Sequence, residues 1–159
     1  MILFVSTALL LLSSSEAATI THDKLLPELA KLTYHISPFS DREFNTVEEV
    51  DLKTFSILTK YIPKHNGTEA YDCDDVVRGF RHMLSNIQKK SNRALTVFTA
   101  YVELEPQDDG WLGLEVDRYS SHAIVLIRMA DGSYVFFEPQ SGLWENMNEN
   151  SPRIRFILV

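Results

Sequence analysis

The sequence predicts an α+β fold, with helices in the first part of the chain and antiparallel strands in the second. After Asp72, apolar residues recur every three or four positions, which is typical of a helix with one buried face. From residue 95 onward, short runs rich in β-branched and aromatic residues alternate with turns such as Asp131-Gly132. The 159 residues are enough for one domain.

The same patterns predict the order of the elements. One helix is expected to end near Ser37-Pro38, a second covers residues 47–62, and a third begins at Asp72-Cys73. Strands are expected over residues 95–104, 112–116, 122–128, 134–138 and 153–159.

The first residues have the features of a secretory signal. An apolar run from Ile2 to Leu12 leads into small residues that end at Ala17. Such a run is too short to span a bilayer, so we expect a signal peptide over 1–17, a single mature domain over 18–159 and a secreted protein. A membrane-anchored N-terminus is the alternative. No membrane partner is expected for the mature form.

Charge limits the classes of partner. The formal net charge is -7 and the basic residues are scattered along the chain. Nucleic acids and anionic membranes attract clustered basic residues, so neither is expected as a partner.

The single cysteine, Cys73, is the most informative residue. Secreted chains usually carry paired cysteines, so a lone one is a buried apolar residue, half of an intermolecular disulfide or a reactive thiol. Its position in the first turn of the third helix favours the thiolate, because the N-terminal end of a helix is positive. The carboxylates of Asp72, Asp74 and Asp75 oppose it.

A base for this thiol is found in His122, which heads an apolar strand, and Glu138 ends the next strand. A buried carboxylate needs a partner. A hairpin centred on Ala130 would place the two side chains directly opposite each other, where the carboxylate orients the imidazole. This requires an odd-length loop or a bulge within residues 129–133, because a two-residue turn puts them on opposite faces. A strand-edge histidine without a role is the alternative.

Two motifs carry a family resemblance: Tyr71-Asp72-Cys73-Asp74-Asp75 and Phe137-Glu138-Pro139-Gln140-Ser141-Gly142. Together with His122 they resemble the papain-like protease domain of the Marasmius oreades agglutinin and similar fungal chimerolectins, over roughly residues 64–143. The resemblance implies a papain-like fold, activation by calcium, and a triad with Cys73 as nucleophile, His122 as general acid/base and Glu138 as orienting residue. Glycan recognition is not carried over, because no β-trefoil segment precedes the domain.

Two further sites are predicted with alternatives. Asn66 is a candidate oxyanion donor, since no Gln lies between residues 19 and 72, but Asn66-Gly67-Thr68 is also a glycosylation sequon. Asp74 and Asp75 offer oxygen ligands to calcium, or simply favour the helix N-terminus as acids.

These observations predict a secreted cysteine hydrolase, a thiol protease that cleaves a peptide or protein substrate through a thioester. The first alternative is a catalytically silent binding or effector module of the same fold. Its aromatic cleft would be lined by Trp111, Tyr119 and Trp144, although buried aromatic residues are the more common outcome. The second is a papain-like amidase or transglutaminase.

Overall fold

The computed structural model describes residues 18–38, 43–64, 72–91 and 94–159. The predicted signal peptide, 1–17, and Asn66 lie outside these residues, so both stay predictions. Within the described ranges, no helix combines the length and the apolar character needed to cross a membrane.

The described residues contain three α-helices: α1 (His22–Leu29), α2 (Glu49–Leu58) and α3 (Cys73–Ser91). The first ends earlier than its apolar pattern predicts. The second continues into a 3-10 turn over Thr59–Tyr61, and its first turn is fixed by the amide of Glu48, which donates to Asp51 Oδ2 over 3.0 Å. The third helix begins directly after Asp72, where the sequence predicts it.

In the part of the chain that the structure describes, seven strands form two antiparallel sheets. A small sheet pairs β1 (Thr19–Thr21) with β2 (Glu43–Asn45). The larger sheet has the order β6-β5-β4-β3-β7. Its strands are β3 (Val97–Leu104), β4 (Ser120–Arg128), β5 (Tyr134–Phe137), β6 (Trp144–Asn146) and β7 (Arg153–Leu158).

One predicted strand, over residues 112–116, is replaced by a 3-10 turn at Trp111–Gly113. Gly110 and Gly113 have φ angles of 84° and 77°, and Leu112 between them has a φ of 51°. A left-handed backbone cannot continue a strand, so this segment turns instead of pairing. The strands β1, β2 and β6, three residues each, are not predicted by the sequence.

The larger sheet has a hydrophobic core on each face. On one face, α2 and α3 pack on odd-numbered sheet residues such as Val125 and Phe137. On the other, α1 and the small sheet pack on even-numbered residues such as Leu126 and Phe136. Successive side chains along each strand point to opposite faces, so the apolar residues are divided between the two cores.

The fold class predicted from the sequence, α+β and papain-like, is corrected by this architecture. The described chain is built around a five-stranded antiparallel sheet, and its few helices serve as cover. The physical reason is that periodicity identifies single elements, whereas the order in which strands pair is a tertiary property that two short motifs do not determine.

Candidate functional site

Cys73 is the first residue of α3 and is half-buried, as a free thiol. The ladder between β4 and β5 ends at the pair Val125 and Phe137. Beyond that point, the amide of Ala123 donates to Cys73 Sγ over 3.5 Å. The N-terminal end of α3 therefore lies next to the part of β4 that does not pair with β5. The sulfur of Cys73 contacts the sheet there.

His122 and Glu138 form a buried ion pair. The distance from His122 Nε2 to Glu138 Oε2 is 2.6 Å, and the side chains are 14% and 2% exposed. The other carboxylate oxygen, Oε1, accepts the amide of Gln140 over 2.7 Å. Both oxygens of this buried acid are thus hydrogen-bonded, as burial of a charge requires.

The hairpin that brings them together differs from its prediction by one residue. Arg128 pairs with Tyr134, so the loop has the five residues 129–133 and is centred on Asp131 rather than Ala130. The odd loop length is confirmed and keeps both side chains on one face. The expectation of directly opposed side chains is wrong: this register places Glu138 opposite Ile124, diagonal to His122, within reach of a long side chain.

The surroundings of His122 decide its charge. Burial is the largest influence on its pKa and lowers it, but hydrogen bonds with Cys73 and Glu138, together with the negative charge of Glu138, raise the pKa to about 9. The imidazole is therefore protonated at neutral pH. A charged imidazolium beside a sulfur can donate a hydrogen bond to the sulfur or to a ligand held against it.

A short loop after Glu138 holds the carboxylate in position. The amide of Glu138 donates to the carbonyl of Leu143 over 2.9 Å, and the amide of Gly142 donates to the carbonyl of Glu138 over 2.7 Å. Ser56 of α2 donates to the carbonyl of Gly142 over 2.7 Å. Sequence reasoning missed these backbone roles and that of Ala123, although the run Pro139-Gln140-Ser141-Gly142 is a turn signal.

The acidic residues at the start of α3 converge. Asp72, Asp74 and Asp75 each offer an oxygen within 4.8 Å of the others. The pKa of Asp74 is raised, first by its hydrogen bond with Asp72 and then by burial. Arg78 pairs with Asp74 over 2.6 Å and also with Asp75. Because Arg78 already offsets part of this charge, calcium binding by Asp74 and Asp75 stays a prediction.

The three aromatic residues considered for a cleft have different environments. Trp111 packs edge-on against Phe136 with ring centroids 5.3 Å apart and belongs to the core. Tyr119 is 74% exposed and Trp144 is 36% exposed. Trp144 follows the loop that holds Glu138 and pairs with Phe137, so it borders the site.

Comparison with known proteins shows a shared fold. No family model and no curated protein sequence matches this chain. One solved structure that matches is described as "PSL1a-E64 complex", with a TM-score of 0.63, 15% identity, and coverage of 89% of this chain and 51% of the other. A second is Polyporus squamosus lectin bound to the human-type influenza-binding epitope Neu5Aca2-6Galb1-4GlcNAc, with a TM-score of 0.64, 16% identity, and coverage of 89% and 49%.

These matches limit what the likeness shows. The chain spans about half the length of each matched chain. At 15% and 16% identity, the likeness establishes the fold and leaves the ligand of this chain open. Neither description names a nucleic acid, a membrane, or a peptide or protein substrate.

Several predictions are corrected by these comparisons. The two structures named above are described as PSL1a and as Polyporus squamosus lectin, and neither description names the Marasmius oreades agglutinin or a papain-like protease, so the predicted family resemblance is wrong. The predicted cysteine peptidase, with its hydrolase and thiol-protease chemistry, conflicts with a structure of the same fold that is described as a lectin. The resemblance rested on two short motifs. Short motifs identify a few side chains, but they determine neither the topology of a protein nor its reaction.

Proposed function

We propose that this chain is a ligand-binding module whose binding site is formed by Cys73, His122 and Glu138. The observation that carries the proposal is the buried pair of His122 and Glu138, joined over 2.6 Å, in which the same imidazole hydrogen-bonds to Cys73. Burying an ion pair costs free energy that an apolar pair would not cost. Strongly shifted ionisable groups of this kind concentrate at functional sites.

The ligand proposed for this site is a small polar molecule. The imidazolium supplies a hydrogen-bond donor, and the half-buried sulfur remains within reach of solvent. Leu143 and Trp144, 51% and 36% exposed, follow the loop that holds Glu138 and add an apolar border. Proteins of the same fold are described with E64 and with a sialylated saccharide, so these two compounds are the first candidates. An exposed tryptophan suits a sugar ring.

Protection of the sulfur tests this proposal. The folded protein is treated with iodoacetamide at pH 7, with and without each candidate, and alkylation is followed by intact mass. We expect the saccharide to slow alkylation of Cys73 by about tenfold at a concentration of roughly ten times its Kd. E64 is an epoxide, so we expect it to block alkylation by adding its own mass to the sulfur, with the epoxide ring opened to a hydroxyl. Glu138→Gln should weaken the protection, because it removes the charge that holds the imidazolium. Glu145→Gln, the same change on the exposed strand β6, should leave it unchanged.

Three results would contradict the proposal. Alkylation that neither compound slows would remove Cys73 from a binding site for them. A sulfur that reacts only after unfolding would show that the site is closed to ligands. Cleavage of casein by the wild-type protein but not by Cys73→Ala would show turnover, which a binding module does not perform. Secretion and removal of residues 1–17 stay predictions.

A further inference from the structure

A cavity lies beside the site described above and shares the residue Asp74 with it. It has a volume of about 780 Å³, lies between α3 and the edge of the sheet formed by β3 and β7, and is lined by none of Cys73, His122 and Glu138. Cavities of roughly 300–1,000 Å³ are typical of small-molecule sites. Six polar residues of α3 line it: Asp74, Arg78, Arg81, His82, Ser85 and Gln88. All of them except His82 follow one another at spacings of four, three, four and three, so one face of the helix is turned towards the cavity.

Arg81 is the unusual group in this cavity. Its Nη1 donates to Thr99 Oγ1 over 3.2 Å and to the carbonyl of Leu158 over 3.4 Å. Both acceptors are neutral, and in the part of the chain that the structure describes no carboxylate pairs with Arg81. Burial lowers the pKa of Arg81. A desolvated guanidinium normally has an anionic partner, because both the charge and five donors must be satisfied.

Arg78 lies one turn earlier on the same face of α3 and, unlike Arg81, pairs with carboxylates. Its guanidinium pairs with Asp74 and Asp75, so its charge is offset within the protein. The positive charge of Arg81 is the one in this cavity that the described contacts leave without a counter-charge. A bound anion would supply it, by the paired geometry that arginine forms with carboxylates and phosphates.

The rest of the lining is mixed. Its polar side chains include Thr99 and Tyr101, and its apolar side chains include Phe44, Leu84 and Leu95, which are buried. An inorganic ion would contact the guanidinium and would not reach the apolar side chains. A molecule with an apolar body would move its own apolar surface from water against these side chains and gain free energy in proportion to the area removed from water.

We propose that this cavity binds a small organic anion, with its carboxylate or phosphate on Arg81 and its apolar body against Phe44, Leu84 and Leu95. The two head groups share the chemistry that Arg81 recognises. The comparison of octanoate with octyl phosphate distinguishes them.

Calorimetric titration of the full chain tests the proposal. We expect octanoate or octyl phosphate to bind at least about tenfold more tightly than acetate or inorganic phosphate, because each buried methylene adds affinity. Arg81→Gln should weaken binding by at least about tenfold. The matched control is Arg153→Gln, which removes the same charge from an arginine that is 83% exposed on β7. It should change affinity by less than about twofold.

Equal affinities for acetate and octanoate, or no binding of either alkyl compound, would overturn the proposal. An equal loss in Arg81→Gln and Arg153→Gln would show attraction by overall charge instead of a site. Should Arg81→Gln fail to fold, Arg81→Lys keeps the charge with fewer donors and is expected to bind more weakly than wild type. The alkyl series on wild type needs no variant and decides the proposal by itself.

Discussion

At the scale of residues, His122 shows how neighbouring side chains determine a charge. An imidazole that is 14% exposed would lose its proton more readily than one in water. Cys73 and Glu138 reverse this tendency and bring the pKa to about 9. The charge of the site at neutral pH therefore depends on two residues from other elements, the first of α3 and the one that follows β5.

The raised pKa of His122 predicts how stability depends on pH. Because the folded pKa is above the ordinary value of 6.5, protonation stabilises the folded state fully below about pH 6.5, and this contribution is lost as the pH rises through about 9. We expect the free energy of unfolding in urea to fall by roughly 1–3 kcal/mol between these values.

His122→Asn should lose this pH dependence. The control His82→Asn, at an exposed position of α3, should keep it. A free energy of unfolding that stays level or rises between pH 6.5 and 9 in the wild type would contradict the assignment.

Sequence reasoning reaches part of this site. A carboxylate that ends an apolar strand, as Glu138 does, predicts a buried partner, and the pairing with His122 follows from the spacing of the two residues and an odd-length loop. The amides of Ala123 and Gln140 that hold the sulfur and the carboxylate were not predictable. Any residue supplies a backbone amide, so its role depends on where the chain passes and leaves no mark in the residue type.

At the scale of elements, the loop from Glu138 to Leu143 connects the site to α2. Gly142 has a φ of 76°, and a Cβ there would lie 3.1 Å from Thr59 Oγ1 and 3.6 Å from the carbonyl oxygen of Ser56. Glycine has no Cβ, so it can adopt this positive φ and also lie this close to Thr59 and Ser56. The loop can therefore pack on the end of α2 and keep Glu138 beneath His122.

Two glycine substitutions separate these effects. Gly142→Ala adds a close contact to the cost of a left-handed backbone, whereas Gly110→Ala has a φ of 84° with nothing within 4 Å of the new Cβ. We expect urea unfolding to show a loss of about 1–2 kcal/mol for Gly110→Ala and a larger loss for Gly142→Ala. In an NMR titration, the pKa of His122 should fall only in Gly142→Ala. Equal losses with an unchanged pKa would show that the loop does not position Glu138.

The elements themselves were predicted unevenly. The start of α3 after Asp72 and the strands on either side of residues 129–133 follow from periodicity and turn residues. The predicted strand over 112–116 is wrong because the backbone is left-handed at Gly110, Leu112 and Gly113, which apolar residue types do not reveal. The order of the strands was beyond reach, since pairing depends on contacts between distant segments.

At the scale of the whole molecule, one sheet carries a core on each face, and an ion pair between Arg128 and Glu28 joins α1 to the second face. Arg128 Nε lies 2.6 Å from Glu28 Oε2, and Nη2 lies 3.2 Å from Oε1. Tyr134 donates its hydroxyl to the same carboxylate over 3.3 Å. The hydrogen bond with Arg128 is the main cause that lowers the pKa of Glu28. A paired geometry of this kind is more directional than a surface contact.

Removing that carboxylate should loosen α1. We expect Glu28→Gln to cost about 1–2 kcal/mol in urea unfolding, since Arg128 is only 12% exposed and loses its counter-charge. Glu103→Gln is the matched control: its partner Arg155, 3.1 Å away, is 64% exposed, and the cost should stay under about 1 kcal/mol. A loss in Glu103→Gln as large as in Glu28→Gln would show that the pair contributes no more than a surface contact.

The five-residue connection between β4 and β5 also constrains how this chain can change over time. Losing or gaining one residue there would move every later side chain of β5 to the other side of the sheet, so the carboxylate would point away from the imidazole and apolar residues would enter the wrong core. Insertion or deletion of two residues would keep each side chain of β5 on the same face of the sheet and would move Glu138 along β4 by one pleat. Insertions and deletions at this position are therefore expected to be tolerated in pairs, a constraint that acts on the length of a solvent-facing segment and not on its composition.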